Sequence, residues 1–151
     1  MAFASAGVFY MSNYNPLKNL KEFHETFSPE QKNDSVLQKI DRRTQLVYEE
    51  YAEVTDALLT LEKAHLGLNS YTPEEAMVEV ASELADLLYV VYGTAEELGI
   101  PLDRVFNEIH KANMRKVWDD GKVHKNEFGK VLKPDNFQRA DIGKVLYGTE
   151  S

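Results

Sequence analysis

Three glutamates, Glu49, Glu50 and Glu53, crowd the segment "YEEYAEVTDALL", Tyr48 to Leu59, and three more acids, Glu79, Glu83 and Asp86, interrupt the mostly apolar "EVASELADLLYVVYGTAEEL". Carboxylates three and four residues apart share one face of a helix and repel, so the pattern stabilises nothing unless water or a cation compensates. Glu49 and Glu53 are four apart, Glu50 and Glu53 three apart, and Glu79, Glu83 and Asp86 fall at i, i+4 and i+7. If the two segments are antiparallel neighbours, two acid clusters meet in a half-buried interior, where they cannot all ionise without a cation. Hard oxygen ligands supplied by carboxylates alone suit Mg²⁺ or Mn²⁺.

The elements that must position these faces are marked by their punctuation. Asn15-Pro16 reads as an N-cap with proline at the first helical position, opening an amphipathic helix whose apolar face is Leu17, Leu20, Phe23 and Phe27. After a capped turn, "SPEQKND", a long helical pattern runs from about Ser35 to Leu66 and stops at Gly67. Its length is roughly 45 Å. Thr72-Pro73-Glu74-Glu75 forms a capping box that opens a third helix, ending at Leu98 before Gly99. In that helix Val80, Leu84, Leu87, Leu88 and Val91 are apolar around most of the circumference, which predicts burial on several sides. Pro101 opens a fourth helix, "PLDRVFNEIHKANMRKVW", which fails at Asp119-Asp120-Gly121. Short connections and no convincing strand predict an all-α, antiparallel helical bundle with an irregular C-terminal tail. The last thirty residues read as a loop or short hairpin draped over the bundle. The expected organisation is a flexible leader, 1–14, with Met11 an alternative start, one helical domain, 15–137, and a tail, 138–151.

Composition narrows the chemistry. At 151 residues and 43% apolar the chain can build one core, and a formal charge of -8 argues against nucleic acid or an anionic membrane surface as partner. With no cysteine, disulfides, thiolate nucleophiles and cysteine-based metal sites are excluded. No apolar run approaches the length of a membrane span, the start lacks a basic n-region, and a cytoplasmic location is the expectation. His24, His65, His110 and His124 show no metal-ligand spacing and read as structural or surface residues. A di-iron carboxylate bundle needs two Glu-x-x-His elements; the chain has one, ending at His65. The other rival is a non-enzymatic interaction module in which the acids merely solvate helix faces.

The pattern Glu49-Glu50-x-x-Glu53 followed by Glu83-x-x-Asp86 resembles the signature of the all-α nucleoside triphosphate pyrophosphohydrolases, the MazG-like superfamily that includes dimeric dUTPases and phosphoribosyl-ATP pyrophosphohydrolases. The tail "HKANMRKVWDDGKVHKNEFGKVLKP" is similar to that group's Asn-x-x-Lys, Asp-Gly-Lys and Gly-Lys-Val-Leu-Lys series, and the likeness spans about Leu17 to Phe137. One departure is the gap of 29 residues between Glu53 and Glu83, at the long end of the family's spacing. The resemblance implies hydrolysis between the α and β phosphates of a nucleoside triphosphate, with Glu50, Glu53, Glu83 and Asp86 as ligands of Mg²⁺ or Mn²⁺. Glu49 would orient or deprotonate the water or help hold a second ion, and Glu79 lies on the correct face but outside the motif. Asn113 and Lys116 match the family pattern for phosphate binding. Lys111, Arg115 and the tail residues Lys122, Lys130 and Lys133 complete a plausible clamp, although cations near a helix C-terminus are favoured by the macrodipole regardless of function. Trp118 reads as packing, with base stacking as its alternative.

Short chains of this kind resemble the MazZ subgroup, which favours a purine substrate, (d)GTP ahead of dATP, with dUTP as the runner-up. Asn13, Asn15 or Asn113 offers the paired donor and acceptor that a guanine edge requires. Finally, a 45 Å helix with Leu46, Val54, Leu58 and Leu61 on several sides is hard to cover within one chain, and the expectation is a homodimer or a dimer of dimers.

Overall fold

The structure, a computed structural model, describes residues 15–148; the expected leader, with Met11 and Asn13, lies outside them. Within these bounds the chain is all-α, as the punctuation predicts. It comprises α1 (Pro16–Phe27), a 3-10 turn (Pro29–Asn33), α2 (Val36–His65), α3 (Pro73–Glu97), α4 (Leu102–Met114) and α5 (Ile142–Tyr147). Strand-like pairing among the described residues is limited to one isolated antiparallel bridge, Lys125 with Val131.

The helix starts are set by local chemistry. The Asn15 side chain accepts from the Lys18 amide, and Pro16 fills the first turn, where no donor is needed. Full capping boxes open α2, between Ser35 and Gln38, and α3, between Thr72 and Glu75. Gly67 and Gly99, at φ 67° and 68°, take the left-handed conformation that lets the chain leave α2 and α3.

Two compact units result, one ending at Leu98 and one beginning at Gly99. In the first, α2 and α3 pack antiparallel. Arg43, near the start of α2, bonds Glu97 at the end of α3, while Glu50 and Glu53 in mid-α2 meet Glu83 in mid-α3. The most buried apolar residues of the two helices are small: Val54, Ala57 and Ala64 in α2, and Ala76, Val80 and Ala95 in α3. Helix α1 lies on α3 through buried Leu20 and an edge-on contact between Phe23 and Tyr89, ring centres 5.5 Å apart. The expectation that α3 is buried on several sides holds for Val80 but not for Leu84 and Leu88, which remain 49% and 46% exposed. Three helices are too few to surround it.

In the second unit α5 packs on α4. The fourth helix ends at Met114, earlier than the run "MRKVW" suggests. The Arg115 and Lys116 amides reach back only three residues, to Ala112 and Asn113, and the Trp118 amide bonds the Lys122 carbonyl instead of its own helix. The Arg115 guanidinium donates to the carbonyls of Gln138 and Arg139, tying the end of α4 to the tail. The anticipated hairpin is a tight loop in which the Asn126 side chain accepts from the Phe128 and Lys130 amides and Gly129 supplies a φ of 76°. Helix α5, capped by Asp141, was not anticipated; six residues carry too little periodicity to read.

Candidate metal centre

Carboxylate oxygens of Glu50, Glu53 and Glu83 close to within 4.8 Å of one another across the α2–α3 seam. Glu50 and Glu83 are half-buried and Glu53 is exposed, so the triple lies at the edge of the seam, open to solvent on one side. Asp86, one turn beyond Glu83, is exposed and stands outside this close triple, yet its charge reaches both Glu50 and Glu83. Glu49 and Glu79 are exposed and flank the cluster, Glu49 adding its field to Glu50 and Glu79 to Glu83.

The electrostatics are those of an uncompensated site. Burial first, then the charges of Glu53, Asp86, Glu83 and Glu49, push the Glu50 carboxyl above its ordinary range. Glu83 moves the same way, again from burial first and then from Glu53, Asp86 and Glu79. One oxygen of Glu50, Oε2, is buried with no hydrogen-bond partner. A buried acceptor without a donor costs about 1–3 kcal/mol; among the described residues the only other buried side-chain polar atoms without a partner are the donors Arg42 Nε and Arg43 Nε.

Those observations test the fit of a hard dication. Oxygens sharing a Mg²⁺ at about 2.1 Å lie at most about 4.2 Å apart, so small side-chain rotations bring the triple into ligating range. The donors are all carboxylate, and the orphaned Glu50 oxygen is a vacant acceptor. The residues fit the ion.

The other end of the same seam is neutralised from within, which sequence reasoning missed. Arg43 is only 7% exposed; its Nη2 donates to Glu97 Oε1 at 2.7 Å and to His24 Nε2 at 2.6 Å. Arg42 bonds both Glu97 oxygens and also Asp34, and His24 Nδ1 lies 2.6 Å from Glu96 Oε2. Because a guanidinium only donates, His24 Nε2 must accept, so the proton sits on Nδ1 and is donated to Glu96. "DRRTQL" reads as a solvated stretch; Gly93, about one turn before the end of α3, is the one residue that signals a close approach.

The predicted phosphate-binding residues lie in the second unit. Asn113 and Lys116 line one cleft of about 280 Å³ with Met114, Val117, Val123 and Val131. Lys111, Lys122, Lys130 and Lys133 are exposed, Lys133 stacking its ammonium over the Phe137 ring at 5.2 Å. Arg115 is engaged by Glu108 and by two tail carbonyls. Trp118 packs at a tilt against His124, ring centres 4.4 Å apart. In the first unit, the Asn15 side-chain oxygen is spent on its helix cap. Among the described residues no helix is long and apolar enough to cross a membrane. The profile of the phosphoribosyl-ATP pyrophosphohydrolase family matches residues 20–113, which span α2, α3 and every carboxylate of the cluster. A search of the curated proteins finds no match.

Proposed function

The chain belongs to the phosphoribosyl-ATP pyrophosphohydrolase family, hydrolases acting on phosphoric anhydrides, and from that premise we propose a divalent-metal-dependent nucleoside triphosphate pyrophosphohydrolase that releases a nucleoside monophosphate and pyrophosphate. The observation that carries this reading is the buried, partnerless oxygen of Glu50 inside an acid-on-acid contact between α2 and α3. Glu50, Glu53, Glu83 and Asp86 would hold Mg²⁺ or Mn²⁺. The chemistry such an ion supplies when bound is neutralisation of phosphate charge and acidification of water.

The chain's own side chains do the rest. Water oxygen attacks the α phosphorus, the bond from that phosphorus to the α-β bridging oxygen breaks, and the departing pyrophosphate carries away the electron pair. Glu49, exposed beside the cluster and four residues from Glu53, takes the proton from the water. Asn113 and Lys116 bind phosphate oxygens, with Lys111, Lys122, Lys130 and Lys133 adding charge and Arg115 contributing if it leaves its tail carbonyls. The preferred base is a purine, guanine ahead of adenine.

Incubation with each of the eight common ribo- and deoxyribonucleoside triphosphates plus dUTP and Mg²⁺, resolved by ion-exchange chromatography, tests the reading. Monophosphate and intact pyrophosphate are expected, fastest with GTP or dGTP, and Lys116→Ala is expected to raise KM about tenfold with little change in kcat. A dUTP preference would overturn the base assignment. Diphosphate with orthophosphate would overturn α-β cleavage.

The active species is proposed to be a homodimer, or a dimer of dimers. A mostly apolar groove of about 500 Å³ runs along α2 and α3, lined by Ile40, Arg43, Val47, Tyr48, Tyr51, Leu87 and Leu98. Thr44 and Thr94 of the same groove donate their hydroxyls to their own helix carbonyls, which leaves those hydroxyls satisfied without a partner. Half-exposed Leu58, Leu84 and Leu88 extend this apolar face along the two helices. A second copy would cover it as the other half of a four-helix bundle. Sedimentation velocity at micromolar concentration is expected to show at least twice 17.2 kDa; a single 17.2 kDa species removes the proposal.

A further inference from the structure

The α2–α3 seam has a weakness that its own residues expose. The most buried apolar residues of α2 and α3 are alanines and two valines, small side chains that let helices approach closely but interlock poorly along the axis. Sliding one helix by a single residue moves every group on it by about 1.5 Å. The carboxylate triple, closed to 4.8 Å, tolerates little of that if it is to ligate one ion. Something must set the axial position, and buried polar groups are the best-attested devices for setting register.

Arg43 has the geometry for it. Its guanidinium, carried on α2, bonds His24 of α1 at 2.6 Å and Glu97 of α3 at 2.7 Å, and Arg42 shares that carboxylate, 3.1 Å from Glu97 Oε2. Gly93 of α3 makes the seat. A β-carbon there would come within 2.9 Å of Arg43 Nη1 and 3.4 Å of His24 Nε2. The seat also lies in line with the site, since Glu50 follows Arg43 by seven residues, two turns along the same face, and Glu97 follows Glu83 by fourteen, about four turns.

We propose that Arg43, seated on Gly93 and held by His24 and Glu97, is the positioning residue of the carboxylate centre: it locks the register at which Glu50 and Glu53 meet Glu83, and thereby sets the centre's affinity for a dication. The inference rests on the metal reading given above. Arg43 touches neither ion nor substrate and acts only through the helices it joins.

Calorimetric titration of the full chain with Mn²⁺ alone tests the lock, at a temperature where circular dichroism shows each variant folded. Wild type binds and Glu50→Gln does not. Arg43→Lys keeps the charge but cannot span His24 and Glu97, and Gly93→Ala lifts the guanidinium from its seat; each weakens Mn²⁺ binding about tenfold, the scale of losing an outer-shell support. Leu20→Ala supplies the control, removing apolar packing between α1 and α3 without touching the guanidinium, and is expected to lower the melting temperature while keeping wild-type affinity. If Arg43→Lys fails to fold, Gly93→Ala decides. Wild-type affinity in Gly93→Ala and any folded Arg43→Lys overturns the lock and leaves the metal reading standing. Equal weakening in Leu20→Ala overturns it in favour of general loosening. No binding by wild type overturns the metal reading and the lock together.

Discussion

Glu50→Gln is expected to lower kcat for Mg²⁺-dependent hydrolysis by about 10³-fold or more, the scale on which one charge-stabilising group contributes, while making the metal-free protein more stable. Both effects come from the same atoms. Glu50 faces α3 with one oxygen buried and partnerless, and its ionised form is opposed by burial and by four neighbouring acids. Glutamine keeps the shape, removes the charge and brings an amide donor to the carboxylates around it. The gain should be on the order of 1 kcal/mol, that of relieving a buried unsatisfied acceptor.

The pH dependence has a definite sign. A carboxyl raised in the folded state binds more protons there than in the unfolded chain, so its contribution is fully present below the unfolded value of about 4.3 and is lost as pH rises through the folded value. Metal-free wild type should therefore lose stability from this cluster as pH climbs out of the ordinary carboxylate range, and Mg²⁺ should restore it by mass action. Scanning calorimetry from acid to neutral pH, with chelator and with Mg²⁺, reads both. A Glu50→Gln protein that turns over substrate at the wild-type rate, or gains as much from Mg²⁺ as wild type, would sink the assignment.

The largest expected loss of stability belongs to Arg43→Leu, about 3–5 kcal/mol, the cost of removing one partner from a buried ion pair. Leucine leaves Glu97 buried with Arg42 alone, strips the donor from His24 Nε2 and cannot bridge to α1. For a chain of this size the melting temperature should fall by roughly 10 °C or more. The acid limb of the stability curve should change with it. Burial alone would raise the Glu97 carboxyl, but hydrogen bonds and charge from Arg43, then Arg42, outweigh burial and hold it below its usual range. A lowered carboxyl contributes stability that is fully present above the unfolded value of about 4.3 and is lost as pH falls through the folded value. Wild type should show that loss on acidification and Arg43→Leu a flatter acid limb. A change under 1 kcal/mol in denaturant melts would mean the hub is incidental to the fold.

What the sequence determined by itself is what neighbours along the chain decide. The capping boxes at Ser35 and Thr72, the cap at Asn15 and the exits at Gly67 and Gly99 are made within a few residues, so α1, α2 and α3 begin and end close to where their residue types require. The same locality put Glu50 with Glu53, and Glu83 with Asp86, on common faces, because helical spacing alone sets that. Only tertiary structure decided which acids close on one another. Glu83 joins Glu50 and Glu53 while Asp86 stands off, a difference of one turn that depends on the axial register of α2 against α3. Arg43 was illegible for the same reason. The residues that bury it come from 19 positions earlier and 54 later, and nothing in "DRRTQL" distinguishes a solvated arginine from one enclosed by His24, Gly93 and Glu97. Helix α4 stops at Met114, where the Arg115 and Lys116 amides reach back only three residues, and the Arg115 and Trp118 side chains bond carbonyls of residues 132–139, partners that local propensity does not contain.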